Sequence, residues 1–360
     1  MAAPLSFLTG FPGFIGRRLV TRLLEEDPKL RVAALVEPRM GQTARDAAAE
    51  LGGERIEVLE GDIAERRLGL EDAEWERLQA ETTSAFHLAA IYDLAVPLEL
   101  AQRVNVDGTG NVLELCASCE KLERLNYVST AYVAGTRTGV VYEHELALGQ
   151  TFKNHYESTK FQAEVWVRDA MDRVPATIYR PAIVVGDSRT GETQKFDGPY
   201  YMLRVISVAE ARGMPIAQFG RSAAPFNVVP VDFVVDALVA GSREPAAAGE
   251  TLHLVDPEPV TASELLTALA REYAGREPSY RLPPKLVQAA LRLPAVREQF
   301  AGAPRESITY LNHAVRFDTR RAGDLLSAQG LRCPRFDEYV ANMVRFFREH
   351  EDDRAFRVAA

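Results

Sequence analysis

Short apolar runs alternate with stretches of helical spacing along the first part of the chain. Leu5–Leu8 ends at Thr9-Gly10, Ile15–Leu24 has apolar residues at helical spacing, and a second apolar run covers Arg31–Val36. Strands show short apolar runs, whereas amphipathic helices repeat with a period near 3.6 residues. This order therefore indicates a strand, a glycine-rich turn, a helix and a second strand.

The same alternation recurs further along the chain. Helical patterns, one of them around Glu157–Met171, separate further predicted strands at Ile56–Leu59, Ser84–Ala89, Arg124–Val128 and Thr177–Val185. Strands that alternate with helices form right-handed crossovers and hence a parallel sheet. The pattern predicts an α/β fold with a Rossmann-type, doubly wound parallel sheet.

The remainder of the chain predicts a smaller, mostly helical second part. Residues 186–224 are irregular and rich in Gly, Pro and aromatic residues, Phe226–Leu238 indicates a strand followed by a helix, and Thr251–Val255 indicates a further strand. We expect residues 1–186 and about 226–256 to form the dinucleotide-binding domain. Residues 187–225 and 257–350, both approximate, are expected to form the substrate-binding part.

Composition and charge narrow the classes of protein. With 47% hydrophobic and 26% charged residues, the 360-residue chain matches a soluble globular protein and not a collagen-like, disordered or transmembrane one. Its net charge of −9 argues against nucleic acid as a partner, because phosphate binding needs a basic face. The N-terminus lacks the regions of a signal peptide, and no run approaches about 18 apolar residues, so a cytoplasmic location without a transmembrane segment is expected.

Three cysteines cannot form a disulfide framework, which also favours a reducing compartment. Cys116 and Cys119 form a CxxC inside the helical pattern Asn111–Leu122. A helix interior favours packing over the redox chemistry of a helix start. No metal ligands are predicted.

The glycine-rich turn carries the first candidate chemistry. Gly10, Gly13 and Gly16, in TGFPGFIG, lie between the first strand and the first helix. Glycines permit a tight turn and bring backbone amides and the helix N-terminus up to a pyrophosphate. The position near the N-terminus favours a dinucleotide site over a turn that only packs a helix on a strand.

Charged residues after the next two strands bear on the choice of dinucleotide. Glu37 follows Gly16 by 21 residues, where an acidic side chain binds the adenosine ribose and favours NAD. Arg39 is either a ligand for a 2′-phosphate or a solvated loop charge. Asp62 is either a partner of the adenine amino group or a helix N-cap.

Tyr156 and Lys160, in NHYESTK, are four residues apart on a predicted helix, so both side chains share one face. A tyrosine of ordinary pKa is a poor acid or base at neutral pH unless a cation stabilises its phenolate, which Lys160 can do. Ser129 and Thr130 end the preceding predicted strand about 26 residues earlier, where a hydroxyl can bind a substrate carbonyl.

These motifs resemble the extended short-chain dehydrogenase/reductase superfamily. The resemblance covers most of the chain, in TGFPGFIG, GD at Gly61-Asp62, HLAA from His87, NVDGTGNVLE from Asn105, YVSTAYVAG, YESTK and YRPAIVVG from Tyr179. Within the superfamily, STAYVAG, RPAIVVGDSRTG and NVVPVDFVVDAL are similar to the fatty acyl-CoA reductase and thioester reductase-like branch.

The resemblance implies a role for each matching residue. It implies that Tyr156 is the catalytic acid or base, that Lys160 lowers its pKa and holds the nicotinamide ribose, and that Thr130 orients the carbonyl. His87 and Asn105 are expected to be structural. The implied cofactor-binding residues are Gly10, Phe11, Gly13, Phe14, Ile15, Gly16, Glu37, Arg39, Asp62, Ile63, Ala89, Ser129, Tyr156, Lys160, Pro181 and Val184.

The resemblance also implies a cofactor and a class of substrate. The thioester reductase branch implies NADP(H), which is preferred here, and Glu37 keeps NAD(H) open. We expect hydride transfer to or from a carbonyl, thioester or alcohol carbon of a small, lipophilic substrate. Alternatives are a hydroxysteroid dehydrogenase-like enzyme, a sugar-nucleotide epimerase and a non-catalytic dinucleotide-binding module. The chain shows none of the adenylation, carrier or membrane segments of many relatives, which weakens the expectation of four-electron reduction.

Two segments bear on the substrate side. The first contains a group of aromatic and apolar residues that either line a cavity or form the core of the second part. The group is Phe196, Tyr200, Tyr201, Met202, Leu203 and Phe219. The segment from Pro283 to Phe300 has helical spacing with Lys285, Arg292 and Arg297 on its polar side. It predicts a helix that packs on its own domain or makes peripheral contact with a membrane. The oligomeric state is not predicted.

Overall fold

The computed structural model of the chain describes residues 3–93, 95–218, 223–282 and 307–356. The strands are β1 (Leu5–Thr9), β2 (Arg31–Val36), β3 (Ile56–Glu60), β4 (Thr82–His87), β5 (Arg124–Val128), β6 (Gly139–Val141), β7 (Ala176–Pro181), β8 (Ile183–Val185), β9 (Ala217–Gln218), β10 (Val228–Pro230), β11 (Thr251–Leu254), β12 (Tyr280–Arg281) and β13 (Val315–Phe317). Seven of them form one parallel sheet in the order β11-β7-β5-β4-β1-β2-β3, which confirms the predicted α/β class. The parallel pairs β8 with β10, β9 with β12 and β6 with β13 lie outside it.

Helices cover both faces of the sheet, so it is doubly wound as predicted. The helices are α1 (Phe14–Glu26), α2 (Gly41–Leu51), α3 (Asp72–Glu81), α4 (Leu98–Ala101), α5 (Gly108–Ser118), α6 (His155–Asp169), α7 (Tyr200–Ala211), α8 (Val231–Arg243), α9 (Ala262–Ala274), α10 (Ser307–Tyr310), α11 (Arg320–Ser327) and α12 (Phe336–His350). A π-helical segment, Gln102–Asp107, joins α4 to α5. Buried residues of α1, α2 and α8 share one core, and those of α3, α5 and α6 share the other.

Strand β2 shows why the central strands have unbroken apolar sequences. Val32 and Ala34 belong to the core under α1, whereas Ala33 and Leu35 belong to the core under α6. A strand that is buried on both faces keeps apolar residues at odd and even positions alike. The short apolar runs in the sequence therefore located the sheet correctly.

Three predicted boundaries were wrong. The strand predicted over Thr177–Val185 is two strands, because the chain after Ala182 leaves β11 and pairs with β10. The region predicted to be irregular contains α7, because Pro199 is the N-cap of that helix and does not continue the loop. Cys119 lies at the C-cap of α5 and not inside the helix, although Cys116 is buried there.

The aromatic segment around α7 belongs to the buried core that also contains residues of α1, α2 and α8. Phe196 packs its ring against Phe347 at 4.8 Å and against Phe356 at 5.1 Å between ring centroids. Tyr200 is 2% exposed, and its hydroxyl accepts a hydrogen bond from the Gly186 amide at 3.0 Å. Of the two alternatives for these residues, the structure supports the core. Phe219 and the segment 283–300 lie outside the described residues.

The parallel topology brings four chain segments to one edge of the sheet. The carboxyl ends of β1, β4, β5 and β7 are adjacent, since these strands are neighbours in the order given above. Gly10, Ala89, Thr130 and Pro181 lie at or just beyond these ends. Ligands of open α/β sheets bind at this edge.

Candidate active site

The glycine-rich turn after β1 is closed so tightly that its glycines have no room for a side chain. Gly10 has a φ of +93°, and the Gly13 amide donates to the Gly10 carbonyl at 3.0 Å. A Cβ atom on Gly16 would collide with that carbonyl, and one on Gly10 would lie 2.9 Å from Leu88. A left-handed φ and close contact with backbone both require glycine here.

Helix α1 begins directly after this turn with an open N-terminus. Gly13 is its N-cap, no side chain caps it, and its first turn has no acidic residue. The Arg18 guanidinium stacks over the Phe14 ring at 4.5 Å and pairs with Glu192 at 3.2 Å. Uncapped amides at the positive end of a helix bind anions. The turn and the helix start therefore fit the diphosphate of a dinucleotide.

At the end of β2, the two residues predicted to choose between NAD and NADP contact each other. Glu37 follows the last residue of β2, and its carboxylate forms an ion pair with Arg39. The two side chains are 43% and 76% exposed, respectively. A hydrogen-bond acceptor for a ribose and a cation for a phosphate thus lie side by side, and the pair leaves the choice of cofactor open.

Asp62, a predicted partner of the adenine, and Ile63, a predicted cofactor-binding residue, follow β3 in a turn. The Asp62 carboxylate accepts from the Ala64 amide at 2.9 Å and pairs with Arg103 at 3.3 Å, so it stabilises a turn and does not cap a helix. Ile63 is buried, and its carbonyl accepts from the Asn111 side chain at 2.7 Å. The backbone of this loop is therefore held firmly, and the Asp62 side chain remains 32% exposed.

His87 at the end of β4 lies in a one-directional chain of hydrogen bonds. The Thr109 hydroxyl donates to the Asn105 carbonyl at 2.7 Å, so it accepts from Nε2 of His87 at 3.0 Å. Nδ1 is then the acceptor for the Thr9 hydroxyl at 2.7 Å, and the Thr9 oxygen accepts from the Ala89 amide at 3.2 Å. Burial lowers the pKa of His87 to about 3, so the ring stays neutral. His87 is structural, as the sequence favoured.

Ser129 and Thr130 directly follow β5, and their hydroxyls have different partners. Thr130 is the N-cap of a short 3₁₀ helix, accepts from the Tyr132 amide at 3.3 Å and donates to the Pro181 carbonyl at 3.5 Å. The Ser129 hydroxyl donates to the buried Glu164 carboxylate at 2.6 Å. The structure therefore places the Thr130 hydroxyl at the site and commits the Ser129 hydroxyl to the interior.

Tyr156 lies in the first turn of α6, next to Thr130. Asn154 caps this helix by accepting from the Glu157 amide at 2.9 Å. Burial raises the pKa of the Tyr156 phenol, and a hydrogen bond with Thr130 opposes that increase. The Tyr156 ring meets the Tyr92 ring edge-on, with 5.1 Å between centroids. The phenol is therefore protonated at neutral pH and is placed to donate.

Lys160 follows one turn later and is 2% exposed. Its ammonium donates to the Val128 carbonyl at 2.8 Å and lies 4.4 Å from the centroid of the Tyr127 ring. Burial lowers the pKa of Lys160 to about 7, although the charge of Glu164 opposes this. Tyr156, Lys160 and Thr130, which the sequence predicted as a set, thus meet at the carboxyl end of β5.

One buried charge cluster beside Tyr156 was not predicted. Glu157, fully buried, pairs with Lys153 at 3.0 Å and accepts from the Tyr310 hydroxyl at 2.7 Å. Asn154 donates to the same Tyr310 hydroxyl at 2.9 Å. The i,i+4 spacing of Lys153 and Glu157 was a signal in the sequence, but it is normally found on exposed faces. The contact with Tyr310 spans 153 residues of chain, so no local pattern indicates it.

The loop after β4 supplies further unpredicted contacts at the site. Asn105 accepts from the Ile91 amide at 2.8 Å and donates to Thr159 at 3.0 Å, which ties this loop to α6. Tyr92 is 47% exposed, and Lys195 lies 5.3 Å from its ring centroid. Asn105 is structural, as expected. Tyr92 covers one side of Tyr156 and remains partly exposed.

Pro181 and Val184 lie on the other side of the site. Pro181 is the last residue of β7, and Val184 is the middle residue of β8, paired with Val229 of β10. Val184 is partly exposed at this edge, whereas Pro181 is buried. The contact of both residues with the nicotinamide, which the resemblance implies, stays a prediction.

Neither a membrane span nor a cluster of metal ligands occurs among the described residues. In these ranges, no helix combines the length and the apolarity that a membrane span requires. The same part of the chain has no group of three or more histidine, cysteine, aspartate or glutamate side chains arranged to hold a metal ion.

One known family matches more than half of the chain. The family described as male sterility protein matches residues 8–238, which include the glycine turn, Thr130, Tyr156, Lys160 and the first part of α8. A solved structure, the terminal R domain from the myxalamid PKS-NRPS biosynthetic pathway, is 26% identical with a TM-score of 0.82 and covers 99% of this chain and 93% of its own.

Curated relatives are longer proteins. The fatty acyl-CoA reductase wat of Drosophila melanogaster is 26% identical over 276 residues, which are 66% of this chain and 53% of that protein. The isonitrile lipopeptide synthase of Mycobacterium tuberculosis is 28% identical over 291 residues, which are 69% of this chain and 11% of that protein. The chain thus spans about half of the first relative and a small part of the second.

Proposed function

The chain belongs to the male sterility protein family, NAD(P)-dependent reductases of the extended short-chain dehydrogenase/reductase type, and from that premise we propose what it does. It transfers a hydride between a nicotinamide dinucleotide and the carbonyl carbon of a small, lipophilic substrate. The observation that carries this proposal is the convergence of Thr130, Tyr156 and Lys160 at the sheet edge where the glycine turn opens. Residues 1–186 and about 226–256 bind the dinucleotide, and the remainder binds the substrate.

Residues at the carboxyl ends of the strands would hold the dinucleotide. The amides of the glycine turn and of the α1 N-terminus hold the diphosphate. Glu37 or Arg39 contacts the adenosine ribose, Asp62 and Ile63 contact the adenine, and Lys160 holds the nicotinamide ribose. Phe11, Phe14, Ile15, Ala89, Pro181 and Val184 complete the walls of the cofactor site. When bound, the nicotinamide supplies or accepts the hydride.

Side chains of the protein donate and accept the proton of the reaction. The Thr130 hydroxyl turns its proton from the Pro181 carbonyl, 3.5 Å away, to the carbonyl oxygen of the substrate, and Tyr156 donates to the same oxygen. Tyr156 then gives up its proton to that oxygen. The ammonium of Lys160 stabilises the phenolate that remains. Because burial raises the pKa of Tyr156, this stabilisation is needed before the phenol acts as an acid at neutral pH. In alcohol oxidation the same groups work in reverse.

The substrate is an acyl thioester or the aldehyde derived from it, and NADPH is the preferred reductant. Support comes from the similarity to a fatty acyl-CoA reductase and to the terminal R domain of a PKS-NRPS biosynthetic pathway. Tyr92 adds an exposed aromatic wall beside Tyr156 that suits an apolar chain.

Cofactor consumption with a panel of substrates tests the proposal. Oxidation of NADPH and of NADH is followed with acyl-CoA esters, long-chain aldehydes and ketosteroids, with wild type and Tyr156→Phe in parallel. We expect NADPH oxidation with an acyl-CoA ester or its aldehyde, and none in the variant. Turnover of ketosteroids alone, or equal rates in both proteins, would contradict the proposal.

A further inference from the structure

Glu164 lies one helical turn beyond Lys160 on α6 and is fully buried. Its carboxylate accepts from the Ser129 hydroxyl at 2.6 Å. It also accepts from the Arg180 guanidinium, at 2.6 Å to one oxygen and 3.0 Å to the other. Residues four positions apart on a helix are neighbours on one face, so this carboxylate and the Lys160 ammonium share a buried region.

The carboxylate also reaches the strand that carries the predicted catalytic hydroxyl. Ser129, which donates to Glu164, immediately precedes Thr130. Val128, which accepts from Lys160, immediately precedes Ser129. The end of β5 is therefore attached to α6 at two consecutive residues, once by each of these charged side chains.

We propose that Glu164 is a positioning residue for the reaction: its negative charge keeps Lys160 in the ammonium form and its bond to Ser129 fixes the strand end that presents Thr130. The consequence for turnover rests on the proposed function. The effect on Lys160 is a property of the chain alone and is measured without cofactor or substrate.

The charges around Glu164 keep it ionised. Burial raises its pKa, but the charges of Arg180 from β7 and Arg168 from its own helix, with their hydrogen bonds, lower it overall. His253 from β11 contacts Arg180 at 3.2 Å, and burial lowers the pKa of His253 to about 3, so this ring adds no charge. Glu143 contributes its carbonyl to Arg180 at 3.3 Å.

Among the residues that the structure describes, Glu164 is the only negative charge that acts on Lys160. His87 from β4 stays neutral, Tyr127 from β5 presents its ring face, and burial raises the pKa of Tyr156 on the same helix. Burial lowers the pKa of Lys160 to about 7, and Glu164 opposes this shift. Loss of the carboxylate therefore lowers the pKa of Lys160 further.

Lysine titration measures this effect directly, because the chain has six lysines. The protein is labelled with ¹³C at the lysine ε-carbons, the Lys160 resonance is assigned from its loss in Lys160→Met, and the signal is followed from pH 5 to 10. In Glu164→Gln we expect the midpoint to fall by about one pH unit or more. A midpoint equal to that of wild type would overturn the proposal.

Two further variants keep the test decisive. Glu164→Gln leaves Arg180 buried without its partner and can unfold the chain, so Glu164→Gln/Arg180→Met is measured as well. Its midpoint should also fall, but by less, because the positive charge of Arg180 is removed together with the carboxylate. Glu145→Gln removes a carboxylate that is paired with Arg137 at 2.5 Å and does not face Lys160, so its midpoint should not move. An equal fall in Glu145→Gln would overturn a specific role for Glu164.

Kinetics then test the consequence for turnover. The loss of kcat on raising the pH, which follows deprotonation of Lys160, should begin at lower pH in Glu164→Gln by the same amount as the NMR midpoint. A moved midpoint with an unmoved kcat profile would overturn the positioning role. Absence of wild-type turnover with every substrate would contradict the proposed function and leave the NMR result to decide the effect of Glu164 on Lys160.

Discussion

The glycine turn and helix α6 contribute to one site with opposite kinds of structure. In the turn, Gly10 and Gly16 allow the backbone to pack closely because they have no side chain, and the groups available to a ligand are backbone amides. On α6, the working groups are side chains, and Lys160 is a charge buried to 2% exposure. The turn obtains its affinity for anions from geometry alone, whereas α6 obtains its chemistry from charges held out of water.

The glycine turn and α6 are the two halves of the site, and this difference determines which substitutions each half tolerates. Any added atom in the turn collides with backbone, so its function fails by steric exclusion. The groups on α6 are held by partners from distant segments, with Glu157 bound to Tyr310 and Glu164 to Arg180. Function on α6 therefore fails by a change of charge or of hydrogen bonding, and it depends on pH. The two halves should be separable by mutation.

Lys160→Met is expected to have the largest effect on turnover. It tests whether the chemistry of α6 depends on a buried charge. Turnover should fall by on the order of 1,000-fold, because the Tyr156 phenolate loses its counter-charge. Burial lowers the pKa of Lys160 to about 7 in the folded chain, from a usual value of 10.5. Below pH 7 the folded chain therefore bears the full free-energy cost of the buried charge, and this cost decreases as the pH rises towards 10.5. Chemical denaturation should therefore show that the free energy of unfolding rises over this range in wild type and that this rise is lost in the variant. Equal pH profiles would show that Lys160 is not buried as a charge.

Gly16→Ala tests whether the turn acts only through its shape. The added Cβ collides with the Gly10 carbonyl, so NADPH affinity measured by calorimetry should fall about 100-fold or more. Gly323→Ala in α11 is the matched control, because a Cβ there meets nothing within 4 Å. It should leave affinity unchanged and stabilise the helix by roughly 0.5–1 kcal/mol. Wild-type affinity in Gly16→Ala would refute the steric account.

Tyr310→Phe tests the dependence of α6 on a distant segment. It removes the hydroxyl that donates to Glu157, so the free energy of unfolding should fall by about 1–3 kcal/mol and kcat should fall about tenfold or less. Tyr339→Phe removes another buried hydroxyl, one bonded to the Val228 carbonyl at 3.3 Å. It should lose stability without a change in kcat. If both variants change kcat alike, the link through Tyr310 has no special role.

Exchange of the charges after β2 is expected to have the smallest effect, because both side chains are exposed. Glu37→Gln should release Arg39 and raise the preference for NADPH over NADH by roughly three- to tenfold, as judged from the ratio of the two Kd values. Arg39→Gln should shift the ratio in the opposite direction. An unchanged ratio in both would show that neither residue selects the cofactor.

The sequence predicted the fold well because its signals are local. Arg31–Val36 and Arg124–Val128 were predicted with the same bounds that β2 and β5 have in the structure. The glycine spacing and the four-residue spacing of Tyr156 and Lys160 are also local, so the positions of both halves of the site were predictable. The break between β7 and β8 was missed, because the change of partner at Ala182 depends on β10, more than 40 residues later.

The buried partners of α6 were not predictable from the sequence. Glu157 and Glu164 have the spacing of ordinary exposed helix charges, and nothing local shows that they are fully buried. Ser129 was expected to lie near the cofactor, because the resemblance gives the carbonyl-orienting role to Thr130. Its hydroxyl is bonded to Glu164 instead, because successive residues at a strand end point to opposite sides.

The separation of the two halves is tested most directly by measuring NADPH binding and turnover on one preparation of Tyr156→Phe. The phenol hydroxyl is needed for proton transfer and not for the turn that holds the diphosphate. We predict a Kd for NADPH within about twofold of wild type and a kcat lowered by on the order of 1,000-fold. Undiminished turnover, or loss of NADPH binding together with turnover, would contradict the account.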